Sequence, residues 1–198
     1  MIYHEAIVVG GGLAGLRAAI ELNRHNVKVA VISKVHPLRS HSVAAQGGIN
    51  APLGNHPRGI YDTWEKHAFD TVKGSDYLAD QDAVIRMTKD AANRIYEMEH
   101  WGCPFSRTIE GKIAQRPFGG AGFPRTCYAA DKAGHVLLHT LYQQIIKFKQ
   151  TSERKEMVVY EEWMVVELVV EDGVCAGVIA VDIMSGRLEA FQAGTVIF

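Results

Sequence analysis

The stretch Glu5-Ala-Ile-Val-Val-Gly10-Gly-Gly-Leu-Ala-Gly15 decides the fold. An apolar run of strand character breaks into glycines. Beyond them Leu13, Leu16 and Ile20 recur at helical spacing. Val27 to Ile32 reads as a second buried strand, close enough to be the parallel neighbour of the first through a right-handed crossover. The glycines at 10, 12 and 15 have the spacing that lets a strand turn tightly, brings backbone up to a pyrophosphate and packs the helix on the sheet. A helix amino terminus there offers free N–H groups and a positive dipole to phosphate. The motif alone also occurs as a plain structural turn. Its place between a strand and a helix makes Gly10, Gly11, Gly12, Leu13, Ala14 and Gly15 candidate dinucleotide-binding residues.

Where nicotinamide-binding chains usually carry an acid for the adenosine ribose, this chain has Ser33-Lys34. The hydroxyl can hydrogen-bond and the ammonium can meet phosphate or ribose. A plain strand end with a solvated lysine fits the same residues equally well.

From Ser33 to Arg58 periodicity is lost, and a loop of this length in a compact domain is usually functional or disordered. Asp80 or Asp82 can cap a core-facing helix bearing Val84, Met87, Ala91, Ile95 and Met98, which Gly102 and Pro104 stop. A glycine-rich stretch at residues 118–123 precedes another helix with Leu138, Leu141, Ile145 and Phe148 on one side. The period then changes to β. Val158 to Val170, Val174 to Ile183 and Leu188 to Phe198 read as strands joined by Glu-Asp-Gly173 and Met-Ser-Gly186 turns. The fold class is therefore α/β: a Rossmann-like, flavin-binding variant of the dinucleotide fold with an antiparallel β-meander.

Composition excludes several functions. In 198 residues, 47% hydrophobic, a real core can form, and 21 Lys plus Arg nearly cancel 22 Asp plus Glu, so no bulk field argues for nucleic acid. The three cysteines, without CxxC spacing, fit a reducing compartment better than a disulfide framework. His135 and His139 stand at i, i+4 spacing without HExxH around them, so no metal site is expected. No run approaches the roughly 20 apolar residues of a membrane span. The apolar run at residues 195–198, on which the sequence stops, reads as a truncation.

The segment Arg39-Ser-His-Ser-Val-Ala-Ala-Gln-Gly-Gly48 gathers a cation, hydroxyls, an imidazole and a diglycine directly after the nucleotide unit. It could wrap a cofactor, or be a surface loop with a glycine turn. Together with Ser33-Lys-Val-His-Pro-Leu38 it resembles the FAD-binding segment of the succinate dehydrogenase and fumarate reductase flavoproteins. Asp70-Thr-Val-Lys-Gly-Ser-Asp76, Pro104-Phe-Ser-Arg107, Gln115-Arg-Pro-Phe-Gly-Gly120, Ala130-Asp-Lys-Ala-Gly-His135 and Leu138-His-Thr-Leu-Tyr-Gln143 extend the resemblance, in order, along essentially the whole chain.

That resemblance implies FAD bonded covalently through His41, an attachment that raises the flavin potential and suits succinate oxidation. It implies Ser33, Lys34, Arg39, Ser40, Ser42, Ala45, Gln46, Gly47 and Gly48 around the flavin, with a main-chain contact to adenine near Val165. Gln46 and Phe118 would lie beside the dicarboxylate substrate. Gln46 tilts the direction toward succinate oxidation, whereas Phe118 by chemistry alone could equally be a core aromatic. The resemblance further implies an iron–sulfur partner subunit, a membrane anchor delivering electrons to quinone, and a place on the cytoplasmic face of a cell membrane.

The whole of residues 1–198 is expected to be FAD-binding domain, incomplete at its C-terminus. The capping domain with the family's catalytic arginine and dicarboxylate-clamping side chains, and the helical domain, are expected to be absent. No catalytic residue is then expected here, and the 198 residues by themselves are expected not to turn over. Competing readings are a fumarate reductase, an aspartate oxidase, which would not need His41 in its Arg-Ser-His context, and a noncatalytic FAD-binding module.

Overall fold

The structure is a computed structural model that describes residues 2–150 and 156–198. It forms two compact units, one comprising the residues up to Val43 with those from Leu138 onward, the other Ala44–Leu137.

In the first unit, β1 (Ile2–Val9) runs into the glycine turn and α1 (Leu13–Arg24), and β2 (Val29–Ser33) returns parallel to β1, Ala6 opposite Val29. The βαβ unit is as the glycine spacing implies. Every residue from Ala6 to Val8 and from Val29 to Ser33 is buried, as expected of parallel strands in the middle of a sheet. On α1 the inner stripe is Leu16, Ala19, Ile20 and Asn23, one turn further along than Leu13 suggested.

In the second unit, β3 (Ile49–Asn50), α2 (Trp64–Gly74), α3 (Gln81–His100), β4 (Gln115–Arg116) and β5 (Thr126–Cys127) follow in order. The two-residue strands make a small antiparallel sheet in the order β3-β5-β4. Thr63 caps α2, its hydroxyl accepting from the Lys66 N–H, and Asp80 caps α3 by accepting from the Ala83 N–H. The inner stripe of α3 corrects one expectation: Met87 is 52% exposed and Thr88 is buried instead, donating its hydroxyl to the Val84 carbonyl. Val84, Thr88, Ile95 and Met98 follow the i+4, i+7, i+3 steps of one face, and Met87 falls on its rim.

The helix α4 (Ala133–Gln150) buries Leu138, Leu141 and Ile145 as its period requires. After it come β6 (Met157–Glu161), β7 (Trp163–Glu171), β8 (Val174–Asp182) and β9 (Leu188–Ile197). The run expected as one strand from Val158 to Val170 is thus two, because Glu162 adopts a positive φ of 61° and reverses the pairing. Before it, β6 pairs parallel with β2; after it, β7 pairs antiparallel with β8. All six strands join one sheet in the order β6-β2-β1-β9-β8-β7.

The long β9 does double duty, pairing antiparallel with β8 through Leu188–Gln192 and parallel with β1 through Phe191–Ile197. Phe191 at the crossover is 1% exposed, and Tyr160, Trp163 and Val165 pack against its cluster with Ile7, Ala30, Ile32 and Val178. At residue 177 only glycine fits, since a Cβ there would stand 2.1 Å from the Phe191 carbonyl oxygen.

Candidate functional site

The first unit builds its site at the carboxyl ends of β1 and β2. Gly10, with φ 103°, donates its N–H to the Ile32 carbonyl at 2.8 Å and turns the chain. Gly15 lets α1 sit against that turn, because a Cβ there would lie 1.9 Å from the Gly10 carbonyl oxygen. Side chains that follow β2 close over the turn. Ser33 is buried, its hydroxyl accepting from the Gly11 N–H at 3.3 Å and donating to the Val35 carbonyl at 2.6 Å. It therefore fastens the glycine turn, while Lys34 beside it is exposed.

The loop then runs through 3-10 turns at Pro37–Arg39 and His41–Ala44. His36 opens the first turn, its Nδ1 accepting from the Leu38 N–H at 3.2 Å. The Ser42 hydroxyl accepts from the Leu13 N–H at 3.3 Å, in the first turn of α1. A Cβ on Gly12 would come within 3.2 Å of Ser42 Oγ and 3.9 Å of Ser40 Oγ, so both hydroxyls lie close to this glycine. Arg39 and His41 are exposed.

A cleft of about 380 Å³ is lined by Gly10, Gly12, Leu13, Ala14, Gly15, Ser42 and, at the end of β9, Ile197 and Phe198. The residue before α1 is Gly12, which has no side chain to offer, so Ser42 supplies the side-chain acceptor at the first N–H of the helix. Ser40 Oγ is buried without a hydrogen-bond partner among the described residues. A helix amino terminus, an orphaned hydroxyl and a glycine turn suit a phosphate diester, so the residues present fit the pyrophosphate of a dinucleotide. Val165 sits in β7 opposite Ala180, next to a bulge that precedes Glu167.

The second unit holds the remainder of the candidate set. Ala45 and Gln46 are exposed, and the Ala45 carbonyl accepts from the Gly134 N–H at 2.7 Å. Arg116 grips the next two residues: its Nη2 donates to the carbonyls of Gln46 at 3.1 Å and Gly47 at 2.6 Å, and its Nε to Gly47 at 3.2 Å. Its guanidinium lies 4.4 Å from the Tyr128 ring centroid. A Cβ on Gly47 would stand 2.7 Å from the Phe118 ring and displace it, and one on Gly48, which is at φ 117°, would stand 2.4 Å from the Cys127 carbonyl oxygen. Phe118 is 53% exposed, which removes the core-aromatic reading. Sequence reasoning missed Arg116 as the clamp on this segment; its place in the Gln-Arg-Pro-Phe-Gly-Gly run was the available signal.

Burial pushes the Cys127 thiol up to about 12, so Cys127 is a packed apolar group rather than a nucleophile. Among the described residues no His, Cys, Asp and Glu cluster could hold a metal ion, and no helix is long and apolar enough to cross a membrane.

A family described as FAD binding domain matches residues 5–198. The chain belongs to the FAD-binding domain family. It is 47% identical to a Rickettsia conorii succinate dehydrogenase flavoprotein subunit, over 100% of this chain and 33% of that protein. It is 45% identical to a Mycobacterium tuberculosis fumarate reductase flavoprotein subunit, over 98% of this chain and 32% of the relative. Among solved structures it is similar to Mycobacterium smegmatis Sdh1, with a TM-score of 0.93 and 32% identity over 98% of this chain and 33% of that one. An Escherichia coli quinol fumarate reductase FrdA superposes with a TM-score of 0.89 and 40% identity, over 98% of this chain and 32% of that chain. This FAD-binding domain thus spans about a third of the length of the relatives it matches. Its homologues are FAD-dependent oxidoreductases of the succinate dehydrogenase and fumarate reductase type.

Proposed function

We propose that this chain is the FAD-binding part of a succinate dehydrogenase flavoprotein, oxidising succinate to fumarate. The observation that carries the reading is the match along the whole chain to relatives bearing that name. Bound FAD supplies a two-electron acceptor for hydride from the dicarboxylate carbon. The chain's own residues bind and orient. The bare glycines and the amino terminus of α1, with Ser40 and Ser42, receive the pyrophosphate; Lys34 and Arg39 supply positive charge near phosphate or ribose, and the strand bearing Val165 meets the adenine. Ser33 acts through the glycine turn that it fastens. His41, exposed at the head of its 3-10 turn, is the residue that would hold the flavin covalently. Ala45 to Gly48 follow the flavin edge, held in shape by Arg116, while Gln46 and Phe118 face the dicarboxylate.

The proposal extends to an iron–sulfur subunit that takes the electrons, a membrane anchor subunit, and attachment to the cytoplasmic face of the membrane through them. Proton exchange and the clamping of the carboxylates would fall to the capping domain of the whole protein. The reverse reaction is the second reading, favoured by the fumarate reductase names among equally extensive matches. Gln46 favours the succinate direction.

The test is dye reduction by the complex purified from its source. Succinate-driven reduction should exceed fumarate-driven oxidation of the reduced dye. The opposite ratio would exchange the two readings, and no dicarboxylate-dependent rate in either direction would end both.

A further inference from the structure

The second unit also holds a buried charge cluster around Arg125. Arg125 is wholly buried, and its Nε and Nη2 form a two-pronged pair with the Asp62 carboxylate, both at 2.8 Å. Its third nitrogen, Nη1, lies 2.9 Å from Asp70 Oδ2, a charge contact without hydrogen-bond alignment. That same Oδ2 accepts the Gly122 N–H at 2.8 Å. Asp62 stands just before the Thr63 cap of α2 and Asp70 within the helix, so this one element brings both carboxylates to Arg125. His67, between them and buried, is held neutral, first by its burial and then by the nearby Arg125 charge.

Gly122 closes a loop whose middle has little of its own to hold it. Gly119 and Gly120 have no neighbour within 4 Å of where a Cβ would be, and the loop is tied within itself by the Ala121 N–H to the Phe118 carbonyl at 3.2 Å. The loop is pinned at its two ends, at Arg116 by the Gln46 and Gly47 carbonyls and at Gly122 by Asp70. Phe118 lies between the pins, with its ring on Gly47.

We propose that Asp70 is a positioning residue, latching the loop that carries Phe118 so that the ring is held against Gly47 where the dicarboxylate is to bind. The role in dicarboxylate binding rests on the reading of Phe118 given above; the latch itself does not. Arg125, neutralised on one side by Asp62, fixes the rotamer of Asp70 from behind. The carboxylate then offers a set position to the Gly122 N–H.

The experiment uses the complex purified from its source, titrated with malonate, an unreactive dicarboxylate, and followed by the flavin difference spectrum. Phe118→Ala should weaken malonate binding about tenfold, Asp70→Ala by a similar factor, and the double variant no further, as expected of residues acting through one another. Asp70→Asn, which keeps an oxygen for the Gly122 N–H, should stay within about threefold of the parent. Lower thermal stability of Asp70→Ala with unchanged malonate affinity, or additive effects in the double variant, would overturn the proposal.

Amide exchange at Gly119 to Gly122 separates the latch from the dicarboxylate reading. Faster exchange in Asp70→Ala is expected whether or not malonate perturbs the flavin, and unchanged exchange refutes the latch. If the parent shows no malonate response, the dicarboxylate reading of Phe118 is what fails. Should Asp70→Ala not fold, Gly122→Ala serves instead, since its Cβ would sit 3.3 Å from Asp70 Oδ2 and push the loop away. It should reproduce both the weaker malonate binding and the faster exchange, and parent-like values would count against the latch.

Discussion

Gly15→Ala should cost the protein its FAD. The added Cβ would stand 1.9 Å from the Gly10 carbonyl oxygen, and the atom in its way is backbone, which no rotamer change can clear. Either α1 must move off the turn or the turn must open, and both spoil the approach of Gly12 and the helix terminus to the pyrophosphate. Destabilisation of about 3 kcal/mol or more is expected, at the upper end of overpacking effects. Flavin content after gel filtration and the thermal midpoint of the purified protein check it. Gly74→Ala is the control, because a Cβ at the end of α2 meets nothing within 4 Å. A Gly15→Ala protein with full flavin content and an unchanged midpoint would mean that the turn is not packed as described.

Asp62→Ala should be the second large effect. Asp62 and Arg125 side chains are each 1% exposed, so removing the carboxylate leaves a buried guanidinium with the misaligned contact to Asp70 and the Phe123 ring centroid 5.9 Å away. Breaking a buried pair in this way costs about 3–5 kcal/mol, more than the pair contributes relative to an apolar replacement. Because the guanidinium cannot give up its proton, it cannot escape by neutralising. Denaturant unfolding of the variant measures the loss. A change under about 1 kcal/mol, the range of exposed ion pairs, would show that water reaches Arg125.

Much of the first unit could be read from the chain because its signals are local. The apolar run before Gly10, the glycine spacing and the helical period after it all point to one strand-turn-helix, and the structure has it. The hairpin at Asp172 and Gly173 was legible for the same reason: both residues take positive φ, of 50° and 79°, as its sequence invites. The break at Glu162 was not. Neither Glu161 nor Glu162 is a usual turn residue, and the positive φ at Glu162 is imposed by β6 and β7 pairing with different strands.

In the second unit the two-residue strands are too short to show a period, and α2 offered only its Thr63 cap and a mixed face. Arg125 was hidden by a sound general rule, since charged residues are seldom buried unless paired and its partner Asp62 lies 63 positions away. The same separation hid the clamp of Arg116 on Gly47, 69 positions earlier. Of the candidate site, the glycines and the Arg39 to Gly48 segment were legible as composition. What holds them in shape was not, because it depends on hydroxyls and guanidinium groups brought in from distant sequence.

The central claim, that this FAD-binding domain belongs to a covalent flavoprotein of the succinate dehydrogenase type, turns on His41. Protein purified from its source, denatured and digested, should yield a peptide spanning Arg39 to Gly48 that carries the flavin mass on His41 and retains flavin absorbance after acid precipitation. The same peptide recovered without added mass, with all flavin left in the supernatant, would contradict it.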